Sequence, residues 1–266
     1  MKFAVVATTV LAAAALHGQD QVTVPLTDAN RPATIRVDAM RGDISVRGYD
    51  GRDVIVGTKE NAKASARAKA RRARPDREGL KRIEMNDAGF TAEERENVVT
   101  INSRAQGSDD LDVQVPRNAT LKVKTMSGEI VIDGVRGEIE ASSHNGEVTM
   151  TNVEGSVVAH SLNGDIKVTL NKVEPRPMSF STMNGDIDIT MPADTKARLK
   201  LRNDRGEVYT DFDMQVQAAP KVEQGQRENG RYRVRFERTV FADINGGGPE
   251  MSFVTVNGEI KIRKTK

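Results

Sequence analysis

The sequence predicts an all-β fold, a single-domain β-solenoid of about seven or eight coils. Three observations lead there. The motif [S/N]-G-[D/E]-[I/V] and its close variants return at Gly128, Gly146, Gly164, Gly185, Gly206 and Gly258, with spacings of 18, 18, 21, 21 and 52 residues. Period-2 alternation runs on either side of each glycine, and one face is apolar on both sides of it. Aromatics make up only 4% of the chain and Trp is absent, so the core has to be built from small aliphatics, which suits a thin, regularly layered architecture.

At the N-terminus a single lysine precedes an apolar run from Phe3 to Leu16 and then a polar break, the pattern of a secretory signal. The run is short for a membrane span. Leu16-His17-Gly18 puts a small residue at the cut, so 1–18 is expected to be a signal peptide and 19–266 the mature solenoid domain. Gln19 stands where a lipoprotein needs an acylated Cys, and no transmembrane anchor is expected. The expected location is the periplasm or the cell surface. Because the chain has no Cys, stability there must come from burial and backbone pairing alone.

Ile35, Val37, Ala39 and Arg41 lead into Gly42-Asp43-Ile44-Ser45-Val46, a first coil. The adhesion-like tripeptide Arg41-Gly42-Asp43 falls on the repeat register and is read as a corner. A strand at Val54 and Val56 runs into segment 59–105, expected to be a charged insertion from which the chain rejoins the solenoid near Leu111. Within it, residues 59–82 hold ten Lys/Arg against three acids, a net of +7 in a chain of +2 overall. The body is therefore mildly acidic. The Ala/Arg-rich run has no apolar stripe, so it reads as an exposed helix or loop broken at Pro75.

"LDVQVPRNATLKV" (111–123) parallels "IDITMPADTKARLKL" (187–201), with Pro116 and Pro192 at the same strand exit. Rows such as Ile139, Ala141, Ser143, Asn145 and Val157, Ala159, Ser161, Asn163 pass from apolar to hydroxyl to amide before the glycine, and pairs such as Val148/Met150, Ile166/Val168 and Val208/Thr210 follow it. Gly137 and Gly155 mark the opposite corner. A left-handed β-helix needs an aliphatic every six residues, and stepping by six from Ser127 meets Asp133, Ile139, Asn145 and Thr151, so a right-handed β-helix is the expectation. The wide last spacing implies a second insertion at 212–240.

Few residues suggest chemistry. The acid after each glycine recurs as Asp43, Glu129, Glu147, Asp165, Asp186, Glu207 and Glu259, which stacking would align into a column. Like charges about 4.8 Å apart repel by about 0.9 kcal/mol per pair in water, so something must offset them. A divalent cation such as Ca2+ on Glu129, Glu147, Asp165, Asp186 and Glu207 is one reading. Turn acids accepting backbone N–H groups, with Lys167, Lys261 or Lys124 nearby, is the other and the favoured one. Inward Ser and Thr with the following Asn read as ladders joining coil to coil. His144 and His160 lie outward on different rows with no metal-spaced partner. Asp186 with Asp188 is the nearest imitation of a solenoid lyase, and no G-x-S-x-G elbow or phosphate loop occurs.

The stretch "SGEIVIDGVRGEIEASSHNGEVTMTNVEGSVVAHSLNGDIKV" and the terminal "INGGGPEMSFVTVNGEIKIRK" resemble the bacterial putative-adhesin family, exported β-helix domains of unknown function. The resemblance covers 33–56 and 106–263, and implies a structural or adhesin-like binding module of the cell envelope with no catalytic residues. The alternatives are a polysaccharide-active solenoid enzyme and a divalent-cation-binding solenoid. No cofactor or nucleic-acid partner is expected. The partner classes considered are an envelope glycan, an anionic polymer or a protein surface, with Lys69, Arg71, Arg72 and Arg74 of the basic insert as the candidate contacts.

Overall fold

The structure, a computed structural model, describes residues 21–59, 90–103, 110–217, 222–228, 231–236 and 239–265. The signal segment and the basic run, including Lys69, Arg71, Arg72 and Arg74, lie outside the described residues. In chain order the strands begin with β1 (Gln21–Val24), β2 (Thr34–Ala39), β3 (Ile44–Tyr49), β4 (Val54–Lys59), β5 (Thr91–Arg95), β6 (Val98–Ser103) and β7 (Asp110–Pro116). The regular repeat supplies β8 (Thr120–Ser127), β9 (Ile130–Asp133), β10 (Ile139–Asn145), β11 (Val148–Gly155), β12 (Val157–Asn163), β13 (Ile166–Val173), β14 (Met178–Asn184) and β15 (Ile187–Met191). Then come β16 (Ala197–Arg205), β17 (Val208–Thr210), β18 (Met214–Gln217), β19 (Val222–Glu228), β20 (Arg231–Phe236), β21 (Thr239–Ile244), β22 (Glu250–Asn257) and β23 (Ile260–Lys264).

The fold is all-β and solenoid-like. From β8 to β17 the chain alternates between two sheets, with each corner glycine carrying it across. One sheet has the order β1-β4-β7-β3-β9-β11-β13-β15-β23-β17, and the other β18-β21-β16-β22-β14-β12-β10-β8-β2-β6-β5. The interior pairs are parallel and in register, as in Ile139↔Val157 and Ala141↔Ala159 or Val148↔Ile166. Antiparallel strands border the stack: β4 on β7, β5 on β6 and β21 on β16. Such borders cover strands that would otherwise offer open ladders to another molecule.

The structure corrects the expected layout in three places. Residues 91–103, assigned to the insertion at 59–105, form β5 and β6, and β6 pairs in parallel with β2 through Ile35↔Val99 and Val37↔Ile101. Val99 and Ile101 are fully buried, so this short alternating stretch follows the core row although no [S/N]-G-[D/E]-[I/V] motif follows it. Second, part of 212–240 is integral, because β18 adds to the sheet border while β19 and β20 pair only with each other. Third, the coils do not stack in chain order. β22 and β23 insert between β14/β15 and β16/β17, and β2 and β3 likewise lie between β6/β7 and β8/β9. Val208, expected in the core, is therefore on an edge strand and is 39% exposed.

The core lies between the two sheets as rows of aliphatics, one per strand. Across the second sheet one row reads Ile101, Val37, Val123, Ala141, Ala159, Phe180, Phe253 and Leu201, all buried. Two large rings follow two alanines, and Phe180 and Phe253 stack with centroids 5.2 Å apart. The matching strand exits are also real turns: Pro116 and Pro192 accept the N–H of Ala119 and Thr195 at 3.0 and 3.1 Å.

Candidate functional site

The repeated corner is where the sequence concentrates its signal. The glycines stack in the order Gly42, Gly128, Gly146, Gly164, Gly185, Gly258, Gly206, and a Cβ on any of the last six would fall 2.0–2.3 Å from the carbonyl oxygen of its neighbour below. Glycine is demanded there by close approach between coils as much as by the positive φ. That same carbonyl is the acceptor for four of the inward hydroxyls, whereas the buried Thr125 Oγ1 has no hydrogen-bond partner among the described residues. Ser143, Ser161, Thr182 and Thr255 donate to Gly128, Gly146, Gly164 and Gly185 at 3.3, 3.1, 2.9 and 3.1 Å. In the outermost coil the Asn203 amide takes over, donating to Gly258 at 3.0 Å.

Beside this row runs an amide ladder. The Nδ2 groups of Asn163, Asn184 and Asn257 donate to the Oδ1 atoms of Asn145, Asn163 and Asn184 at 2.9, 2.8 and 2.7 Å. The asparagines are exposed or half-buried, so the ladder edges the corner from outside. Its bonds join asparagine to asparagine, whereas the hydroxyls bind backbone.

Most of the acids after the glycines are engaged by neighbouring groups of the stack. Oδ1 of Asp43, Asp165 and Asp186 accepts the backbone N–H of Glu129, Asp186 and Glu259 at 2.8, 2.9 and 2.8 Å. Lys167 Nζ lies 2.9 Å from Glu147 and 3.9 Å from Asp165, and Lys261 Nζ lies 2.7 Å from Glu259 and 3.2 Å from Asp186. Glu207 accepts the Tyr209 hydroxyl, and Glu129 is exposed. Asp188 is bound to Arg263 at 3.0 Å, so it and Asp186 each face a cation from β23. Among the described residues no group of three or more His, Asp or Glu is arranged to hold a metal ion.

These bonds set the electrostatics. The Glu259 N–H, then Lys261, hold the Asp186 carboxyl below its ordinary 3.8 despite opposing burial. Burial pushes Glu147 up, but the Thr149 hydroxyl and Lys167 together bring it below 4.5. Asp133 is lowered by Thr151 and Asn152. All three are more acidic folded than unfolded, so their stabilisation is fully present above the unfolded values. It is lost as pH falls through the lower folded ones. The urea midpoint is thus expected to be flat from about pH 7 to 5 and to fall below about pH 4, with Asp186→Asn showing a shallower fall. An equal slope in the variant would remove Asp186 from this account.

The family model described as Toastrack DUF4097 matches residues 18–239. The chain belongs to the Toastrack DUF4097 family. The resemblance seen in the repeat is met by this match, which ends at the start of β21 although β22 and β23 complete the stack. Two of the solved structures similar to this Toastrack chain are of proteins described as adhesive. One is a putative cell adhesion protein from Clostridium sporogenes ATCC 15579, at 9% identity and a TM-score of 0.41, covering 93% of this chain and all (100%) of that one. The other is a putative adhesin from Bacteroides fragilis NCTC 9343, at 10% identity and a TM-score of 0.32, covering 93% of this chain and 97% of that one. No curated protein sequence matches.

Two depressions on the described part of the Toastrack surface bear on the site. One, of about 530 Å³, lies on the outer face of the second sheet and is lined by Met40, Met126, His144, His160, Lys124 and Asp38 among others. The second, of about 460 Å³, lies at the free edge of the first sheet around Tyr209, Lys261 and Arg263. Sequence reasoning placed His144 and His160 on the surface but missed the methionines. Their signal was available: Met40, Met126 and Met183 each stand two residues before a corner glycine, at a position that alternation turns outward.

Proposed function

We propose that this chain is an exported cell-envelope module, a right-handed β-solenoid of about seven or eight coils acting as a structural or adhesin-like binding surface without catalysis. The observation that supports it is the fixed spacing of the outward rows. Parallel strands in register hold side chains of successive coils at about 4.8 Å, giving a long rigid face for an extended ligand. The ligand class favoured is an anionic envelope glycan or polymer, with Lys69, Arg71, Arg72 and Arg74 supplying positive charge.

A pull-down on immobilised anionic glycans tests this. The full chain is expected to be retained at low salt and released as salt screens the contact, and the fourfold Lys69/Arg71/Arg72/Arg74→Ala variant is expected to be lost from the resin. Failure of the full chain to bind, or release of soluble sugar during incubation, would overturn the proposal, the latter in favour of a polysaccharide-active enzyme.

A further inference from the structure

Methionine is distributed unevenly between the interior and the surface of this protein. Met150, Met178, Met191 and Met251 are buried, while Met40, Met126 and Met183 are 54%, 54% and 47% exposed. Among the described residues the three exposed ones occupy a single position of the repeat, two residues before the corner glycine. His144 holds that position in a fourth coil and is also exposed. An outward position on a solvated face has no packing reason to select thioethers repeatedly.

Strand register makes neighbours of three of these residues. Ala39 pairs with Thr125 and Thr125 with Ser143, so Met40, Met126 and His144, one residue further along, sit side by side on β2's exit, β8 and β10. Their backbones are about 4.8 Å apart. Two flexible methionines, each with three rotatable bonds, flank one another beside an imidazole, and all three line the same depression. His160 lines it too, from β12, where its Nδ1 is 2.9 Å from the Ser181 hydroxyl. In the tautomer whose Nδ1–H donates to that hydroxyl, Nε2 is the nitrogen for a ligand, the arrangement in which a second-sphere bond orients a metal-binding ring.

We propose that Met40, Met126 and His144, with His160 in reach, form a surface site for a soft monovalent metal ion of the Cu(I) class. Thioether sulfur is a soft donor that selects Cu(I) and has little affinity for Ca2+, Mg2+ or Mn2+, while imidazole accepts both soft and borderline ions. In a chain without Cys, methionine is the soft ligand available. Leu162 interrupts the row after His144, so Met183, one coil beyond it, stands outside the cluster. This site is separate from the acidic column, whose carboxylates are hard donors, most of them engaged by N–H groups and lysines.

Ag(I), a redox-inert probe of the same softness, and Cu(I) buffered by bicinchoninate test the site on the full chain. Methyl signals of Met40 and Met126, assigned by single Leu variants, are expected to shift on adding Ag(I), with that of Met183 unmoved. Met126→Leu and His144→Asn are each expected to weaken Cu(I) binding by at least about tenfold. Met183→Leu, an equally exposed change in the same row, is expected to leave it unchanged, which also controls for folding. Complete retention of Cu(I) by the competitor, or equal weakening by Met126→Leu and Met183→Leu, would overturn the site. Metal-free self-association abolished by Met126→Asp would overturn it as well, by identifying the row as a protein interface.

Discussion

Gly164→Val is expected to destabilise the protein by about 3 kcal/mol or more, combining backbone strain with overpacking. Gly164 has φ +156°, and its new Cβ would stand 2.2 Å from the Gly146 carbonyl oxygen. That oxygen also accepts the Ser161 hydroxyl, so it cannot withdraw without breaking a buried bond. The neighbours above and below are locked by the same contact, and relief would require separating two parallel strand pairs. Gly246→Ala provides the contrast. With φ +87° and nothing within 4 Å of its Cβ position, it should cost only the left-handed backbone penalty of about 1–2 kcal/mol. Urea unfolding at constant m-value separates the two. Equal effects would mean that conformation alone, and not approach between coils, fixes the glycine column.

Phe253→Ala is expected to cost about 3–5 kcal/mol, an unusual sensitivity for a residue so near the C-terminus of a solenoid. In a sequentially stacked array the last coil is a terminal unit whose loss removes one interface. Here β22 and β23 are paired on both sides, so Phe253 is fully buried between Phe180 and Leu201. Truncation after Gly248 is accordingly expected to abolish cooperative unfolding, because it separates β14 from β16 and β15 from β17. Circular dichroism during urea titration reads this directly. A truncated chain with a single sharp transition near the full chain's midpoint would show that the inserted coil is dispensable.

Much of the fold is legible in single residues. Alternation on either side of Asn145-Gly146-Glu147 told which side chains point inward, and Ile139, Ala141, Ser143, Val148 and Met150 are all buried. The hydroxyls before the glycines were readable as coil-to-coil bonds because a polar group at a buried corner must be paired. Their acceptor, the glycine carbonyl, was not readable, since it depends on how close two backbones come. β6 was missed because Val99 and Ile101 carry the alternation without the [S/N]-G-[D/E]-[I/V] motif that flagged the other coils.

The acid column illustrates the boundary at the site itself. Its existence and the nearby Lys167 and Lys261 followed from spacing, whereas which acid each lysine meets depended on the neighbouring strands the stack provides. The cluster of Met40, Met126 and His144 lies further beyond reach of linear reading, because Met40 and Met126 meet only when β2 pairs with β8 across the intervening strands β3 to β7.

The sequence by itself determined that this protein is built of repeating two-strand units with glycine corners and thin aliphatic rows. The tertiary structure alone decided which unit lies beside which. Period-2 alternation specifies the face of every side chain, but each coil presents nearly the same backbone ladder and the same apolar row, so local pattern fits any neighbour. The choice is made by the ends, where β4 on β7, β5 on β6 and β21 on β16 cover the outer strands and leave the first and last coils to fill the layer beneath.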